Sequence, residues 1–312
     1  MKILFTGASS FTGYWFAKQL VSAGHDVHAL FRRTPEGYPD PLRRRRVSEL
    51  TKLCEPVFDV SFGDDDFIKL IKEYSWDLLC HHGAETGDYK SPHFNVMAAV
   101  ESNTHRLPLV IDALKDAGCR KIVVTGSVFE CDEGAGARTL EAFSPYGLSK
   151  ALTWQCFRYY AQSSQFGLGK FVIPNPFGPY EEPRFTYYLV KSWFAGLTPA
   201  VNTPSYVRDN IHVSLLARSY ARFITTMTDG VSQINPSGYI ESQGAFALRF
   251  ATEMRQRLNL KCELALKTQT DFSEPQIRIN TDRPDTQALG WIEKTAWDEL
   301  AEYYATLLKG IS

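Results

Sequence analysis

The sequence predicts an α/β fold, a Rossmann-like doubly wound parallel sheet with a smaller C-terminal substrate-binding domain. Short apolar strands alternate with helix-like patterns through the first half of the chain. That alternation is typical of parallel strands joined by right-handed crossovers. The rhythm breaks after Pro174, where proline and glycine become dense. The length of 312 residues allows one large domain with a smaller one beside it.

The elements of the predicted sheet follow from short apolar runs and from helical periodicity. The strand candidates are Lys2–Thr6, Asp26–Phe31, Val57–Phe62, Leu78–His82, Lys121–Gly126 and Lys170–Pro174. The helix candidates are Thr12–Ala23, Asp65–Tyr74, His93–Ala117 and Tyr146–Gln165. We therefore predict a cofactor-binding domain over residues 1–174 and a mainly substrate-binding domain over residues 175–312. Part of residues 207–235 is expected to return to the first domain.

Composition excludes several classes of protein. The net charge is −1, so no global field attracts nucleic acid or an anionic membrane. No run of about 18 apolar residues occurs, so we expect no membrane span. None of the six cysteines forms a CxxC pair, which favours a reducing compartment over a disulfide framework. No leader-like segment precedes the first strand, and the expected location is the cytoplasm.

A loop of small residues follows the first strand and opens the first helix. From Thr6 to Gly13 it reads TGASSFTG. Glycine lets the backbone turn tightly there, and the N-terminus of the next helix offers free N–H groups to a pyrophosphate. The loop, with Gly7 and Gly13, therefore predicts a dinucleotide-binding site.

The end of the second strand indicates which dinucleotide binds. An NAD site usually carries an acid there, which hydrogen-bonds the ribose 2′-hydroxyl. This strand instead ends in Arg32 and Arg33. A carboxylate would repel a 2′-phosphate, whereas arginine can pair with it through two bonds. We expect NADP(H), with NAD as the second choice.

Two further strand ends can contribute to the cofactor site. Asp64 or Asp65, after the third strand, could reach the adenine. Gly83 and Ala84 follow the fourth strand, and such small residues let the backbone approach a cofactor closely.

Two polar features have interpretations other than catalysis. His81 and His82 are interpreted as packed strand histidines, because no cluster of histidines and carboxylates has metal-ligand spacing. We therefore predict no metal site. The charge run from Arg43 to Arg46 is either a solvated loop or a group of cations near a cofactor phosphate or an acidic partner.

A second motif, SPYGLSK, runs from Ser144 to Lys150. Its Tyr146 and Lys150 are four residues apart, so on a helix they share a face. A nearby ammonium favours the phenolate and lowers the pKa of the tyrosine. The preceding strand ends in VVTGS, and a hydroxyl at such a strand end, from Thr125 or Ser127, can polarise a carbonyl from the other side.

These motifs resemble those of the extended short-chain dehydrogenase/reductase family, which includes sugar-nucleotide epimerases, dehydratases and ketoreductases. The resemblance covers nearly the whole chain. The family's loop, TGxxGxxG, matches at Thr6, Gly7 and Gly13, and Ser10 stands where the middle glycine is usual. The resemblance assigns the cofactor loop to Gly7, Ser10, Phe11, Thr12 and Gly13.

The resemblance also implies catalytic roles. The family's catalytic tyrosine and lysine fall on Tyr146 and Lys150. Its catalytic serine or threonine stands three residues before a V-Y-G-like triplet, here VFE, which indicates Thr125. Ser127 is close enough to remain a rival, and otherwise is expected to contact the substrate. Asn103 resembles the helix asparagine that supports the active-site lysine.

The later segments resemble the sugar-nucleotide branch of the family. Asn175, in NPFGP, resembles an asparagine that touches substrate phosphate or cofactor. Arg208, in VRDNIHV, matches the diphosphate-binding arginine of UDP-galactose 4-epimerases. Arg283 and Asp285, in RPD, resemble the RPGD segment of the same enzymes. Two arginines that converge on a diphosphate make chemical sense, because guanidinium pairs with phosphate through two parallel bonds. A nucleotide sugar is the implied substrate.

The resemblance implies hydride transfer between NADP(H) and a ring carbon of a nucleotide-linked hexose. We expect reduction of a 4-keto-6-deoxyhexose, with Tyr146 as general acid and Thr125 as hydrogen-bond donor to the oxyanion. The alternative is a sugar-nucleotide 4-epimerase that retains NAD(P). A dehydratase fits less well, because Gly-Ser follows Thr125 where that signature has Asp-Glu. A non-catalytic NADP-sensing regulator is a remote alternative.

Enzymes of this family often dimerise through two helices of the large domain. The resemblance therefore implies a homodimer, and the predicted helices His93–Ala117 and Tyr146–Gln165 are the candidates for its interface.

Overall fold

The computed structural model describes residues 1–136 and 141–309. The described residues form two compact units. The first comprises residues 1–133, 141–173 and 217–235, and the second comprises residues 134–136, 174–216 and 236–309. Residues 310–312 of the predicted domain 175–312 lie outside the described residues.

The elements of the first unit alternate along the chain. Its strands are β1 (Lys2–Thr6), β2 (Asp26–Leu30), β3 (Glu55–Val57), β4 (Leu78–His81), β5 (Lys121–Ser127) and β6 (Gly167–Ile173). Its helices are α1 (Phe11–Ser22), α2 (Pro41–Leu50), α3 (Asp65–Glu73), α4 (Val96–Asn103), α5 (Leu107–Asp116) and α6 (Pro145–Ser163).

The remaining elements belong mainly to the second unit. They are β7 (Asn175–Phe177), α7 (Phe185–Phe194), β8 (Ala200–Val201), β9 (Val207–His212), α8 (Val213–Thr226), β10 (Val231–Ile234), β11 (Tyr239–Ser242), α9 (Gln243–Leu258), β12 (Ala265–Leu266), β13 (Ile277–Arg278) and α10 (Glu293–Leu308). Most of α8 and all of β10 belong to the first unit.

The first unit contains a seven-stranded sheet in the order β3–β2–β1–β4–β5–β6–β10, and every neighbouring pair is parallel. The strand order reverses between β1 and β4, and such a switch point is where open α/β sheets bind ligands. Residues of α3, α5 and α6 bury one face of the sheet. On α1, Phe16 stacks with Tyr220 and meets Phe171 of β6 edge-on. The predicted Rossmann-like, doubly wound sheet is confirmed.

Two predicted elements differ in the structure. The predicted helix His93–Ala117 is wrong as one element and consists of α4 and α5. Arg106, between them, has a left-handed φ of 49°, and Pro108 in the first turn of α5 has no N–H to continue a helix. The predicted strand Val57–Phe62 ends at Val57 because Asp59 takes a left-handed φ of 58°.

The basic run lies on a helix. Asp40 caps α2 by accepting from backbone N–H groups of its first turn, and Pro41 occupies the first helical position. Arg46 is fully buried, and its Nε donates to the carbonyl of Ser9 at 3.0 Å. The solvated-loop interpretation is therefore wrong for the conformation of the run and for Arg46, whose guanidinium supports the backbone of the β1–α1 loop. Arg44 and Arg45 are exposed as expected.

The second unit contains two small sheets. In one, β9 pairs with β7, β11 and β13, and in the other β8 pairs with β12. Its core is rich in aromatic side chains, among them Phe177, Trp193, Phe246, Phe250 and Trp297. No helix in the described ranges is long and apolar enough to cross a membrane.

Candidate active site

The β1–α1 loop is shaped by two glycines and by Ser10. Gly7 has a φ of 77°, and a Cβ on it would lie 2.6 Å from the nitrogen of Gly83. A Cβ on Gly13 would lie 2.2 Å from the carbonyl oxygen of Gly7. Ser10 caps α1, because its hydroxyl accepts from the N–H of Gly13 and donates to the carbonyl of Gly7. The loop is therefore a tight cradle at a helix N-terminus, which fits a dinucleotide pyrophosphate.

The serine that replaces the family's middle glycine is thus an N-cap, a role that serine fills well. Phe11, the first residue of α1, is buried, and Thr12 after it is half-buried.

The two arginines after β2 lie at the surface and have weak partners. The side chain of Arg32 is 60% exposed, and its Nη1 lies 3.8 Å from Oε2 of Glu85. Arg33 donates from Nη1 to the carbonyl of Gly37 at 3.2 Å. Their charges are therefore open to an incoming phosphate, which would compete with Glu85 for Arg32.

The two candidate adenine contacts, Asp64 and Asp65, both interact with other groups of the protein. Asp64 caps α3, and its two carboxylate oxygens accept from the N–H groups of Ser61 and Phe67 at 2.7 Å each. Asp65 is exposed and pairs with Arg106 at 2.6 Å, which lowers the pKa of its carboxyl. An adenine contact from either residue stays a prediction.

The end of β4 lies against the cofactor loop. The N–H of Gly83 donates to Oγ1 of Thr6 at 3.0 Å. Ala84 is half-buried beside it. The backbone at Gly83 therefore lies close to the backbone of the cofactor loop at Gly7. Its predicted approach to the cofactor stays a prediction.

Helix α6 carries the tyrosine and the lysine. Ser144 caps it by accepting from the N–H of Gly147. The ring of Tyr146 is half-buried and lies edge-on to Tyr89 and Phe94, with centroids 5.7 and 6.1 Å away. Lys150 is only 4% exposed, one turn further along.

Burial sets the ionisation of Lys150. It lowers the pKa of the ammonium to about 8, while the carboxylate of Glu130 acts in the opposite direction. A lysine whose pKa lies near working pH can tune a neighbouring phenol and can also lose its charge within the alkaline range.

The candidate hydroxyls at the end of β5 have different surroundings. Thr125 is buried, and its Oγ1 lies 2.9 Å from Nδ1 of His82. Ser127 is half-buried, its N–H donates to Oε1 of Glu130 at 2.7 Å, and its hydroxyl accepts from the N–H of Phe129. Either hydroxyl can be the donor that the mechanism needs, and the choice between them stays a prediction.

Asn103 is buried at the end of α4. Its Oδ1 accepts from the N–H of Glu85 at 2.8 Å, and its Nδ2 donates to Oγ1 of Thr153 at 3.1 Å. Thr153 lies one helical turn after Lys150 on α6. Asn103 therefore joins the segment after β4 to the helix of the lysine.

A cavity of about 410 Å³ opens next to the ring contacts of Tyr146. Glu85, Ser91, His93, Phe94 and Ser102 are among the residues that line it. Phe94 also contacts Tyr146, so the cavity lies close to the phenol.

Sequence reasoning missed the contacts of His82. His81 is a packed strand histidine as predicted, since its ring contacts Phe62 and Phe157. His81 also lies 3.2 Å from Oγ1 of Thr6 through its Nδ1. His82 is buried too, and both of its ring nitrogens contact hydroxyls of the loop or of β5. Its place next to Gly83, which the sequence already assigned to the cofactor site, was the available signal.

A buried charge cluster behind β5 was also missed. Nζ of Lys170 lies 2.7 Å from Oε2 of Glu130 and also contacts Glu133. A Cβ on Gly126 would lie 2.8 Å from Cε of Lys170, so glycine leaves the room for that side chain. Glu130 in the VFE triplet was the only sequence signal.

The predicted substrate residues of the second unit differ in burial and in the number of their hydrogen-bond partners. Arg208 is 9% exposed, pairs with Glu274 at 3.0 Å and donates to the carbonyls of Val207, Pro275 and Gln276. Arg283 is exposed.

The other two predicted substrate residues, Asp285 and Asn175, have different surroundings. Asp285 accepts from the N–H of Ala288. Nδ2 of Asn175 is buried without a hydrogen-bond partner among the described residues. Binding of substrate by these four residues stays a prediction. Within the described ranges, no group of three histidines, cysteines or carboxylates is placed to hold a metal.

Comparisons with known proteins give the family. The model of the NAD dependent epimerase/dehydratase family matches residues 3–236. Because this match covers most of the chain, the protein belongs to the NAD dependent epimerase/dehydratase family. No curated protein sequence matches the chain.

Solved structures resemble the whole chain. UDP-glucose 4-epimerase of Thermotoga maritima, solved with UDP-glucose, superposes with a TM-score of 0.74 at 16% identity, over 99% of this chain and 100% of that one. The dTDP-glucose 4,6-dehydratase DesIV of Streptomyces venezuelae, solved with NAD, gives 0.73 at 18% identity, over 99% and 98%. UDP-glucuronic acid 4-epimerase of Bacillus cereus, solved with UDP-glucuronic acid and NAD, gives 0.73 at 18% identity, over 98% and 100%. At these identities the likeness shows the fold.

Proposed function

We propose that the protein is an NADP(H)-dependent oxidoreductase that acts on a nucleotide-linked sugar and reduces a 4-keto-6-deoxyhexose. The observation that carries this proposal is the pair Tyr146 and Lys150 on one face of α6, with the lysine buried and its pKa lowered to about 8. A phenol one helical turn from a buried lysine, in a unit that also contains a dinucleotide cradle, suits proton transfer coupled to hydride transfer.

Three residues of the chain have distinct roles in the proposed reaction. Tyr146 donates its phenolic proton to the substrate oxygen as general acid. The charge of Lys150 favours the phenolate that remains after the proton has been transferred. Thr125 donates a hydrogen bond to the same oxygen as its negative charge develops. The nicotinamide, when bound, supplies the hydride.

The proposed cofactor preference depends on Arg32 and Arg33. The exposed guanidinium of Arg32 lies 3.8 Å from the carboxylate of Glu85, and neither arginine is buried. A 2′-phosphate can recruit both, whereas the ribose of NAD gains nothing from them. NAD is the second choice, and several solved relatives of this fold contain it.

The second candidate is a sugar-nucleotide 4-epimerase with tightly held NAD(P). It is favoured by the epimerases among the similar structures, such as those of Thermotoga maritima and Bacillus cereus. The same Tyr146 and Lys150 would serve it, because oxidation and re-reduction use the same phenol. A third, remote candidate is a non-catalytic NADP-sensing regulator.

Turnover assays separate these candidates. The native protein is mixed with NADPH and 4-keto-6-deoxyhexoses linked to CDP, GDP, UDP or dTDP, and the loss of NADPH absorbance is followed. The proposed reductase oxidises NADPH in proportion to added sugar. An epimerase interconverts UDP-glucose and UDP-galactose without net change in cofactor absorbance, and a sensor does neither.

We also propose a homodimer. Helix α6 exposes Leu148, Leu152 and Tyr159 on the side opposite its buried residues, and Met97 on α4 is 69% exposed. Apolar stripes of this kind are typical of association surfaces. Light scattering coupled to gel filtration should give twice the 35.3 kDa chain mass, and Tyr159→Glu should shift the equilibrium towards monomer. A monomeric native protein would contradict the proposal.

A further inference from the structure

His82 joins the cofactor loop to the hydroxyl at the end of β5. Its Nε2 lies 3.0 Å from Oγ of Ser10 and 3.1 Å from Oγ1 of Thr12. Its Nδ1 lies 2.9 Å from Oγ1 of Thr125. Both ring nitrogens are thus engaged, one by the cofactor loop and the other by β5.

The ring of His82 is neutral. Burial, together with the nearby ammonium of Lys150, lowers the pKa of His82 to about 3. A neutral imidazole carries one N–H, so one nitrogen donates and the other accepts. The tautomer therefore decides which neighbour receives a proton and which gives one.

Two hydroxyls of the loop lie within hydrogen-bond distance of Nε2. The hydroxyl of Ser10 can turn its proton either to the carbonyl of Gly7 at 2.9 Å or to Nε2 of His82 at 3.0 Å. Thr12 can donate to Nε2 at 3.1 Å. Both hydroxyls can therefore donate to an unprotonated Nε2.

The two tautomers have opposite effects on Thr125. With the proton on Nε2, Nδ1 must accept, and the hydroxyl proton of Thr125 is used up on the ring. With the proton on Nδ1, the ring donates to Oγ1 of Thr125 and Thr12 donates to Nε2. The hydroxyl proton of Thr125 is then released from the ring and is available to a bound ligand or to the neighbouring Tyr220.

We propose that His82 is a positioning residue that acts through Thr125: its Nδ1–H tautomer, selected by a hydrogen bond from Thr12, holds the threonine hydroxyl as a donor to the substrate oxygen. This inference rests on the role proposed above for Thr125. It assigns Thr12, a residue of the cofactor loop, to the alignment of a group on the substrate side of the site.

Nitrogen NMR of the native full-length chain tests the tautomer without any turnover. The protein is labelled with ¹⁵N-histidine, and the resonances of His82 are assigned by their loss in His82→Asn. We expect the one-bond N–H coupling of His82 on Nδ1 and an unprotonated Nε2, both without ligand and with NADP⁺. A proton on Nε2 in both states would overturn the proposal.

Thr12→Val and Thr12→Ser form a matched pair for the same measurement. Valine removes the hydroxyl of Thr12 with little change in volume. We then expect the proton to move to Nε2, which can donate to Ser10 while Ser10 keeps its bond to the carbonyl of Gly7. Serine keeps the hydroxyl, and the Nδ1–H signal should persist. If Thr12→Val leaves the proton on Nδ1, Thr12 does not select the tautomer and the proposal fails.

A double-mutant cycle tests whether His82 acts through Thr125. Loss of one hydrogen-bond donor to a developing oxyanion costs about 10²-fold or more in kcat. We expect Thr125→Val and His82→Leu each to lose kcat on this scale with little change in KM, and the double variant to lose no more than Thr125→Val alone. His82→Asn, whose amide can replace Nδ1–H, should lose less than His82→Leu.

The outcomes separate this inference from the proposed function. Additive losses in the cycle would show that His82 acts independently of Thr125 and would overturn the inference, while Tyr146→Phe would still test the proposed chemistry. Conversely, if no nucleotide sugar is turned over, the proposed function fails and the tautomer measurement still stands on its own.

Discussion

The two units of the protein hold their candidate site residues in different ways. In the first unit, Ser10, Tyr146 and Lys150 take their positions from the element that carries them: a helix cap, or two places one turn apart on a helix. In the second unit, Arg208 is fixed by Glu274, which is 66 residues away in the chain. Local spacing therefore defines a site in the first unit, whereas in the second unit the partners of a charge decide what it does.

The largest effect is expected from the first unit. Because Tyr146 is the proposed proton donor, Tyr146→Phe should lower kcat by about 10²-fold or more, the scale of general acid catalysis. Steady-state kinetics with the substrate found in the turnover assay gives this ratio, and fluorescence titration should show unchanged NADPH affinity. Turnover of the phenylalanine variant near the native rate would show that the chemistry has been assigned to the wrong residue.

The second unit gives the next largest effect. If Arg208 binds the diphosphate, Arg208→Ala should remove roughly 1.5–3 kcal/mol of nucleoside diphosphate binding, the value of hydrogen bonds to a charged group. Arg283→Ala should do the same, and NADPH binding should not change. Isothermal titration of the NADP-bound variants measures these losses.

A matched control distinguishes binding from structure at Arg208. Glu274→Gln removes the carboxylate that pairs with Arg208 at 3.0 Å but keeps a similar shape. A diphosphate would then face less competition, so affinity should rise. If Arg208→Ala lowers the melting temperature without lowering diphosphate affinity, Arg208 has a structural role through its ion pair with Glu274. The two units would still differ in how they hold their charges, but Arg208 would not bind substrate.

A smaller effect is expected at the end of β2. Replacement of both Arg32 and Arg33 by alanine should weaken NADPH binding by about 10-fold or more and leave NADH nearly unchanged. Glu85→Gln is the matched control, since it removes the neighbour of Arg32 and should strengthen NADPH binding. Tighter binding of NADH than of NADPH by the native protein would contradict the assignment and favour the epimerase.

The smallest effect concerns pH. The pKa of Lys150 is lowered to about 8, so the fraction of charged lysine falls as pH rises through that value. The reductive kcat/KM should therefore decline on the alkaline side of about pH 8, by up to tenfold per pH unit. Glu130→Gln removes a carboxylate that favours the charge, and should move this limb to lower pH. A flat alkaline profile would show that the charge of Lys150 is not needed.

Much of the first unit could be predicted because the sequence patterns that indicate it involve residues close together in the chain. Strand-helix alternation predicted the parallel sheet, and the spacing of Tyr146 and Lys150 placed both on one helix. The break at Arg106 had a local signal that the predicted helix ignored, because Pro108 has no N–H to continue a helix. The left-handed φ of Asp59 had no comparable signal in the sequence.

What the sequence did not predict depends on contacts between distant segments. His82 meets Ser10 and Thr125, which are 72 and 43 residues away, and no periodicity encodes such a meeting. Arg46 looked like part of a solvated run, but its guanidinium is buried against Ser9, 37 residues away. A charge or an imidazole thus acquires its role from neighbours that only the folded chain supplies.

The central claim is that the protein binds NADP(H) and a nucleotide-linked sugar together, and a thermal-shift panel tests it most directly. The native protein is heated with NADP⁺ or NAD⁺, each alone and with CDP, UDP, GDP or dTDP. A ligand that binds only the native state raises the melting temperature by mass action. We predict a larger rise with NADP⁺ than with NAD⁺, and a further rise with one nucleoside diphosphate. A larger rise with NAD⁺, or no response to any nucleoside diphosphate at millimolar concentration, would contradict the claim.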